Sequence, residues 1–175
     1  FHHGDSKLMV LEADESDDTF NNIEKFIGVV TNFDLEHMDF FKTEDKLKKA
    51  YRRFITNVSD RGFTILHEDV LDRIGAADED SRFDNAITRK NIIKYGRNET
   101  SDFVISDISC NQEGMHFELS INCKFLPKLK VTDIGLPMFG THNVLNSIPS
   151  IIVSILLSND LWQENQLQVF FKNKL

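Results

Sequence analysis

The stretch FIGVVTNFDLEHMD, residues 26–39, decides the fold. Its first half is a nearly unbroken apolar run. Its second half carries acids, an asparagine and a histidine. A strand with one solvated face alternates apolar and polar residues, whereas a strand buried on both faces reads as a continuous apolar run with polar bounds. Residues 26–32 therefore predict an inner strand of a parallel sheet, with Thr31, Asn32 and His37 at or beyond its carboxyl end. Open α/β sheets take their ligands at that end.

Working outward, the same pattern recurs in KLMVLEAD (7–14), which predicts a second buried strand ending in acids. The DESDDTFNNIEK between the two runs has no long helical period. Residues 44–58, EDKLKKAYRRFITNV, set Leu47, Ala50, Tyr51, Phe54 and Val58 at helical spacing. Thr43 is placed to cap that helix, and Glu44 and Asp45 suit its first turn. GFTILHED (62–69) predicts a strand and turn, VLDRIGAA (70–77) a short helix ending near Gly75, and NIIKYG (91–96) another strand. From residue 102 the period changes. DFVISDISC (102–110), MHFELSINC (115–123) and KLKVTDIGL (128–136) alternate between turn signals, predicting an antiparallel meander, a small sheet attached to the parallel one. A helix opens at Gly140 or Thr141 with Val144, Leu145, Ile148, Ile151, Ile152 and Ile155 on its apolar face, and Pro149 within it should bend it. The tail 161–175 predicts a last amphipathic helix. The fold class is α/β: a mostly parallel sheet flanked by helices, with an antiparallel meander over about 102–136.

Composition narrows the function. Of 175 residues 41% are hydrophobic, in the globular range and enough for one domain. Lys and Arg number 20 against 28 Asp and Glu, a net charge of −8, with no basic stripe. Nucleic acid is thereby excluded as the expected partner. A phosphate-bearing small molecule is not, because a divalent cation offsets charge next to acidic side chains. Two cysteines, Cys110 and Cys123, without CxxC spacing argue against a disulfide scaffold or zinc ribbon and fit a reducing cytoplasm. The longest apolar stretch, IPSIIVSILL (148–157), is too short to cross a bilayer.

Glu12 and His37 fall at the ends of the two predicted parallel strands. Equivalent ends of adjacent strands lie about 5 Å apart, so the two side chains are placed to share one ion. Spacing leaves the plainer reading equally open: a loop carboxylate and a hydrogen-bonded histidine. A zinc hydrolase built on Glu12, Glu36 and His37 fits less well, since zinc sites use three protein ligands with more histidine. Asn143 and Asn146, three apart at a helix start, share a face. Two carboxamides there can donate and accept together, as an adenine edge requires. Capping by Thr141 or Asn143 is the simpler alternative.

EADESD (12–17), VVTNFDLEHMD (29–39), KYG (94–96) and FGTHNVLN (139–146), in that order, resemble the central ATP-binding domain of the Mur ligase family, whose fold is related to the phosphate-loop nucleoside triphosphatases. The match is nearest to the branch that joins L-alanine to UDP-N-acetylmuramate in peptidoglycan precursor synthesis, through an acyl phosphate. A branch that recycles murein peptide onto the same sugar nucleotide shares much of the pattern, and a non-catalytic nucleotide-binding domain is the other alternative. The resemblance implies ATP and Mg²⁺, with Glu12 and His37 as metal ligands and catalytic residues. It implies His142, Asn143 and Asn146 beside the nucleotide, and Asp14, Glu15, Ser16, Thr31 and Asn32 toward the muramoyl substrate. Residues 1–160 correspond to part of the central domain and 161–175 to a helix leading toward a further one. No G-x-x-x-x-G-K-[ST] occurs in the chain; the resemblance implies that this loop lies upstream, and that the present stretch alone has negligible ligase activity.

Overall fold

The apolar runs within 26–32, 62–69 and 91–96 form β1 (Ile27–Val30), β2 (Phe63–His67) and β3 (Ile92–Gly96). These pair in parallel, Val29 against Ile65 and Ile65 against Ile93. The computed structural model describes residues 8–75, Phe83, Ile87 and 90–158. The alternating runs form β4 (Phe103–Cys110), β5 (Met115–Ile121) and β6 (Leu129–Leu136), antiparallel to one another. They attach to the parallel strands, as the sequence predicts. Strand β4 lies parallel to β3, pairing Phe103 with Tyr95 and Val104 with Gly96, so one six-stranded sheet runs in the order β1 to β6. A full parallel overlap would require a long crossover. Here β4 meets only the last two residues of β3, and the loop 97–102 suffices.

Burial on both faces explains the continuous apolar runs. Helix α1 (Met38–Phe41) precedes α2 (Glu44–Thr56), and Thr43 Oγ1 accepts from Lys46 N at 3.3 Å, the cap read from sequence. Leu47, Ala50, Phe54 and Ile55 of α2 pack with Val30, Leu66 and Phe20 on one face of the sheet. Helix α4 (Thr141–Leu157) lays Val144, Ile148, Ile151, Ile152 and Ile155 on the other, with Ile65, Ile93 and Phe103. Adjacent residues Ile65 and Leu66, both 0% exposed, thus enter opposite cores; each such side chain contributes about 1.5–3 kcal/mol. Helix α3 (Asp69–Ile74) ends at Gly75, whose φ is 66°, and buried Arg52 donates from Nη2 to the carbonyls of Ile74 and Gly75. Helix α4 runs unbroken through Pro149, leaving the Leu145 carbonyl without its usual i+4 donor. No helix among the described residues is long and apolar enough to cross a membrane.

One expected element is missing. Residues 8–15 form no strand, and Leu8, Met9, Val10 and Leu11 are 54–95% exposed. An apolar run states that a segment can be buried, not what it pairs with, and a strand exists only within a ladder. Among the described residues β1 pairs with β2 alone. Residues 161–175 lie outside the described residues.

Tyr95 is 0% exposed, and its hydroxyl has no hydrogen-bond partner among the described residues. Burial pushes its pKa up. An orphaned buried hydroxyl carries a desolvation cost, so Tyr95→Phe should leave the protein as stable or raise its stability by about 1 kcal/mol. Urea unfolding measures this; a loss of stability would show that the hydroxyl has a partner.

Candidate metal centre

Segment 12–22 reaches the sheet end because α2 holds it. Phe20 is buried against Tyr51 and Phe54, with ring centroids 5.8 and 5.3 Å away. Asn21 Nδ2 donates to the Ala50 carbonyl at 3.0 Å, and Asp18 pairs with Arg53. This fastening brings Glu15 to His37, Oε1 to Nε2 at 3.4 Å. His37 follows β1 on the loop 31–37 and adopts φ 54°, an uncommon left-handed conformation for a residue with a Cβ. Glu36 joins them: one donor atom each from Glu15, Glu36 and His37 lie within 4.8 Å of one another. Tyr51 borders the trio. Its hydroxyl is pushed up to about 12, first by burial and then by the charges of Glu15, Glu36 and Asp34.

Two carboxylates and an imidazole form a donor set for a divalent cation. Ligands of an octahedral Mg²⁺ sit about 2.1 Å from the ion and so roughly 3 Å apart. The trio must contract by side-chain rotation to bind, and solvent must supply the remaining oxygens. With those provisos the residues fit a partly hydrated Mg²⁺.

The expected site residues are distributed unevenly. His37 stands in the cluster. Glu12 is exposed and is not a member; the acid that reaches His37 comes from the next turn of the same motif, Glu15. The sequence places Glu12 there on the expectation that 7–14 form a strand ending beside β1, and residues 8–14 form no strand. Asp14 accepts from Ser16 N at 2.8 Å, and hydrogen bonds from Ser16 hold its carboxyl below the usual range, with a smaller contribution from His37. Thr31 and Asn32 are exposed on the loop after β1, where Asn32 Nδ2 donates to Asp34. At the far helix, Asn143 Nδ2 donates to the Phe139 carbonyl at 2.8 Å, Asn146 is exposed, and the His142 ring packs on Gly140. A Cβ at Gly140 would sit 2.6 Å from that ring, at φ 99°. Sequence reasoning missed Tyr51 as a neighbour of the acids, Arg73, which reaches loop 31–37, and Glu68, which organises the loop after β3. Each carries its signal only in three dimensions.

A family model described as the Mur ligase middle domain matches residues 1–154. The chain belongs to the Mur ligase family. A UDP-N-acetylmuramate–L-alanine ligase from Nitrobacter winogradskyi is 36% identical over 155 residues, covering 86% of this chain and 31% of that protein. A ligase of the same name from Rhodospirillum centenum is 33% identical over 156 residues, covering 87% of the chain and 30% of that protein. The chain thus spans about a third of the length of these curated relatives. Among solved structures, a UDP-N-acetylmuramate-alanine ligase from Thermotoga maritima superposes with a TM-score of 0.57 at 18% identity, over 90% of this chain and 32% of that one. A second ligase of the family from the same organism, solved in complex with ADP, gives 0.52 at 18% identity, over 83% and 30%. These likenesses show the Mur ligase middle-domain fold.

Proposed function

We propose that the chain is the nucleotide-handling middle portion of an ATP-dependent ligase that joins L-alanine to UDP-N-acetylmuramate in the cytoplasm. The observation that carries this reading is the 36% identity, over most of the chain, to a relative bearing that name. The chemistry is limited by a poor electrophile. A carboxylate resists an amine until it is phosphorylated, so the protein must align reactants and neutralise charge. His37, with a carboxylate of the 12–15 segment and Glu36 beside it, would hold Mg²⁺. The ion, when bound, offsets the charge of phosphate and carboxylate oxygens. Asn143 and Asn146 would meet adenine. Asn143 already spends a donor on Phe139, which leaves its carboxamide oxygen to accept from the base. Asp14, Glu15, Ser16, Thr31 and Asn32 line the sheet end on the muramoyl side.

The test is a chimera. The matching 155 residues of the Nitrobacter winogradskyi relative are exchanged for those of this chain. ADP release that requires both L-alanine and UDP-N-acetylmuramate is expected. A folded chimera that turns over only with a peptide in place of L-alanine would transfer the assignment to the recycling branch.

A further inference from the structure

We propose that Arg73 is a positioning residue for His37, acting through the loop that leaves β1; the inference rests on the metal reading above. Loop 31–37 carries Glu36 and His37 from the end of β1 to the start of α1. Burial fixes its flanks: Phe33 and Phe41 are each 4% exposed, and the Phe33 ring meets Tyr51 edge-on at 4.9 Å. Arg73, in the last turn of α3, reaches across from the next βα unit. Its Nη1 donates to the Phe33 carbonyl and to Asp34 Oδ1, both at 2.8 Å. Asp34 is the hub of the loop. Its other carboxylate oxygen accepts from Asn32 Nδ2 at 3.1 Å, and its carbonyl accepts from Glu36 N at 2.9 Å. The chain therefore enters Glu36 and His37 from a fixed point.

His37 then takes its left-handed conformation, and its carbonyl accepts from the amides of Phe40 and Phe41 to open α1. Such a conformation persists only where surrounding contacts determine it. The burial of Phe41 holds one end, and the Arg73–Asp34 clasp holds the other. Arg73 and Asp34 are each 52% exposed, so their ion pair adds little to global stability. Its effect is local: it sets the direction in which the imidazole leaves the backbone. A lysine at the position keeps the charge and can reach the same oxygens, though without the planar fork.

The experiment uses the 175-residue chain, with Mn²⁺ as the probe ion. Hydrogen exchange reads the loop, broadening of the His37 ring protons by Mn²⁺ reads the site, and thermal unfolding reads the whole fold. Arg73→Ala should speed exchange at the amides of Glu36, Phe40 and Phe41 and raise the Mn²⁺ dissociation constant at His37 about tenfold. The unfolding midpoint should barely move, and Arg73→Lys should recover much of the affinity. Unchanged affinity in Arg73→Ala overturns the inference, whether or not the loop loosens. Absence of broadening at His37 in the unsubstituted chain overturns the metal reading itself, and exchange in Arg73→Ala still reports separately whether the arginine holds the loop.

Discussion

His37→Ala is expected to lower the ligase rate of the chimera roughly a thousandfold, because a metal that neutralises transferring oxygens contributes several kcal/mol to the transition state. The same change should remove Mn²⁺ binding from the isolated chain. The loss should be specific, since His37 is partly exposed and belongs to neither core, so the unfolding midpoint of His37→Ala should stay close to that of the unsubstituted protein. The carboxylates separate two versions of the site. With Glu15 Oε1 already 3.4 Å from the imidazole, Glu15→Gln should weaken Mn²⁺ binding in this chain while Glu12→Gln leaves it unchanged. If Glu12→Gln alone is damaging, the ion belongs to the pair expected from the sequence motif. Full activity in the His37→Ala chimera would remove the metal assignment altogether.

The difference between Glu12 and Glu15 shows where reading a sequence stops. The continuous run IGVV points to burial on two faces, FTILH and IIKYG read as strands, and the sheet has an apolar layer on each face. The alternation after residue 102 and the Thr43 cap were equally plain, because period and capping are local properties. Residues 7–14 carry the same local signal as β1, yet residues 8–14 join no ladder among the described residues, because pairing depends on a neighbour the pattern does not name. Once that strand is absent, the acid delivered to His37 is chosen by how Phe20 and Asn21 fasten the next turn to α2. Asn143 and Asn146 were placed on a helix start correctly, but the bond from Asn143 to Phe139 depends on the turn at Gly140. The meander attaches to the parallel strands as the sequence predicts, but nothing in composition marks the point of attachment, the short overlap of β3 and β4.

That overlap is held by two carboxylates, Glu68 and Asp102, whose Oδ2 accepts from Lys94 N at 2.8 Å. Gly96→Ala should be the most destabilising of the small substitutions considered. Glu68, just past β2, extends its carboxylate under the loop 97–102. There it accepts from Asn98 N at 2.7 Å, Arg97 N at 3.0 Å and Ser101 Oγ at 3.0 Å. A Cβ on Gly96 would sit 2.1 Å from Glu68 Oε2 and Cδ. Glu68 cannot swing aside without orphaning the loop donors, and Ser101 is 2% exposed. A clash plus unsatisfied donors costs about 3 kcal/mol or more. The contact, not the backbone, is at fault, since Gly96 lies in a strand and has no positive φ. A double-mutant cycle isolates it. In a Glu68→Ala background, which itself should lose about 1–3 kcal/mol, adding Gly96→Ala should cost much less than it does alone. Acid supplies an independent reading. Burial raises the Glu68 pKa, but the hydrogen bonds from Asn98, Arg97 and Ser101 together outweigh it, and the carboxyl ends below its ordinary 4.5. Its stabilisation is therefore complete above the ordinary value and is lost as pH falls through the lower folded one. Glu68→Ala should flatten that part of the acid unfolding curve, and additive costs for the two substitutions would show that Glu68 does not hold the loop against Gly96.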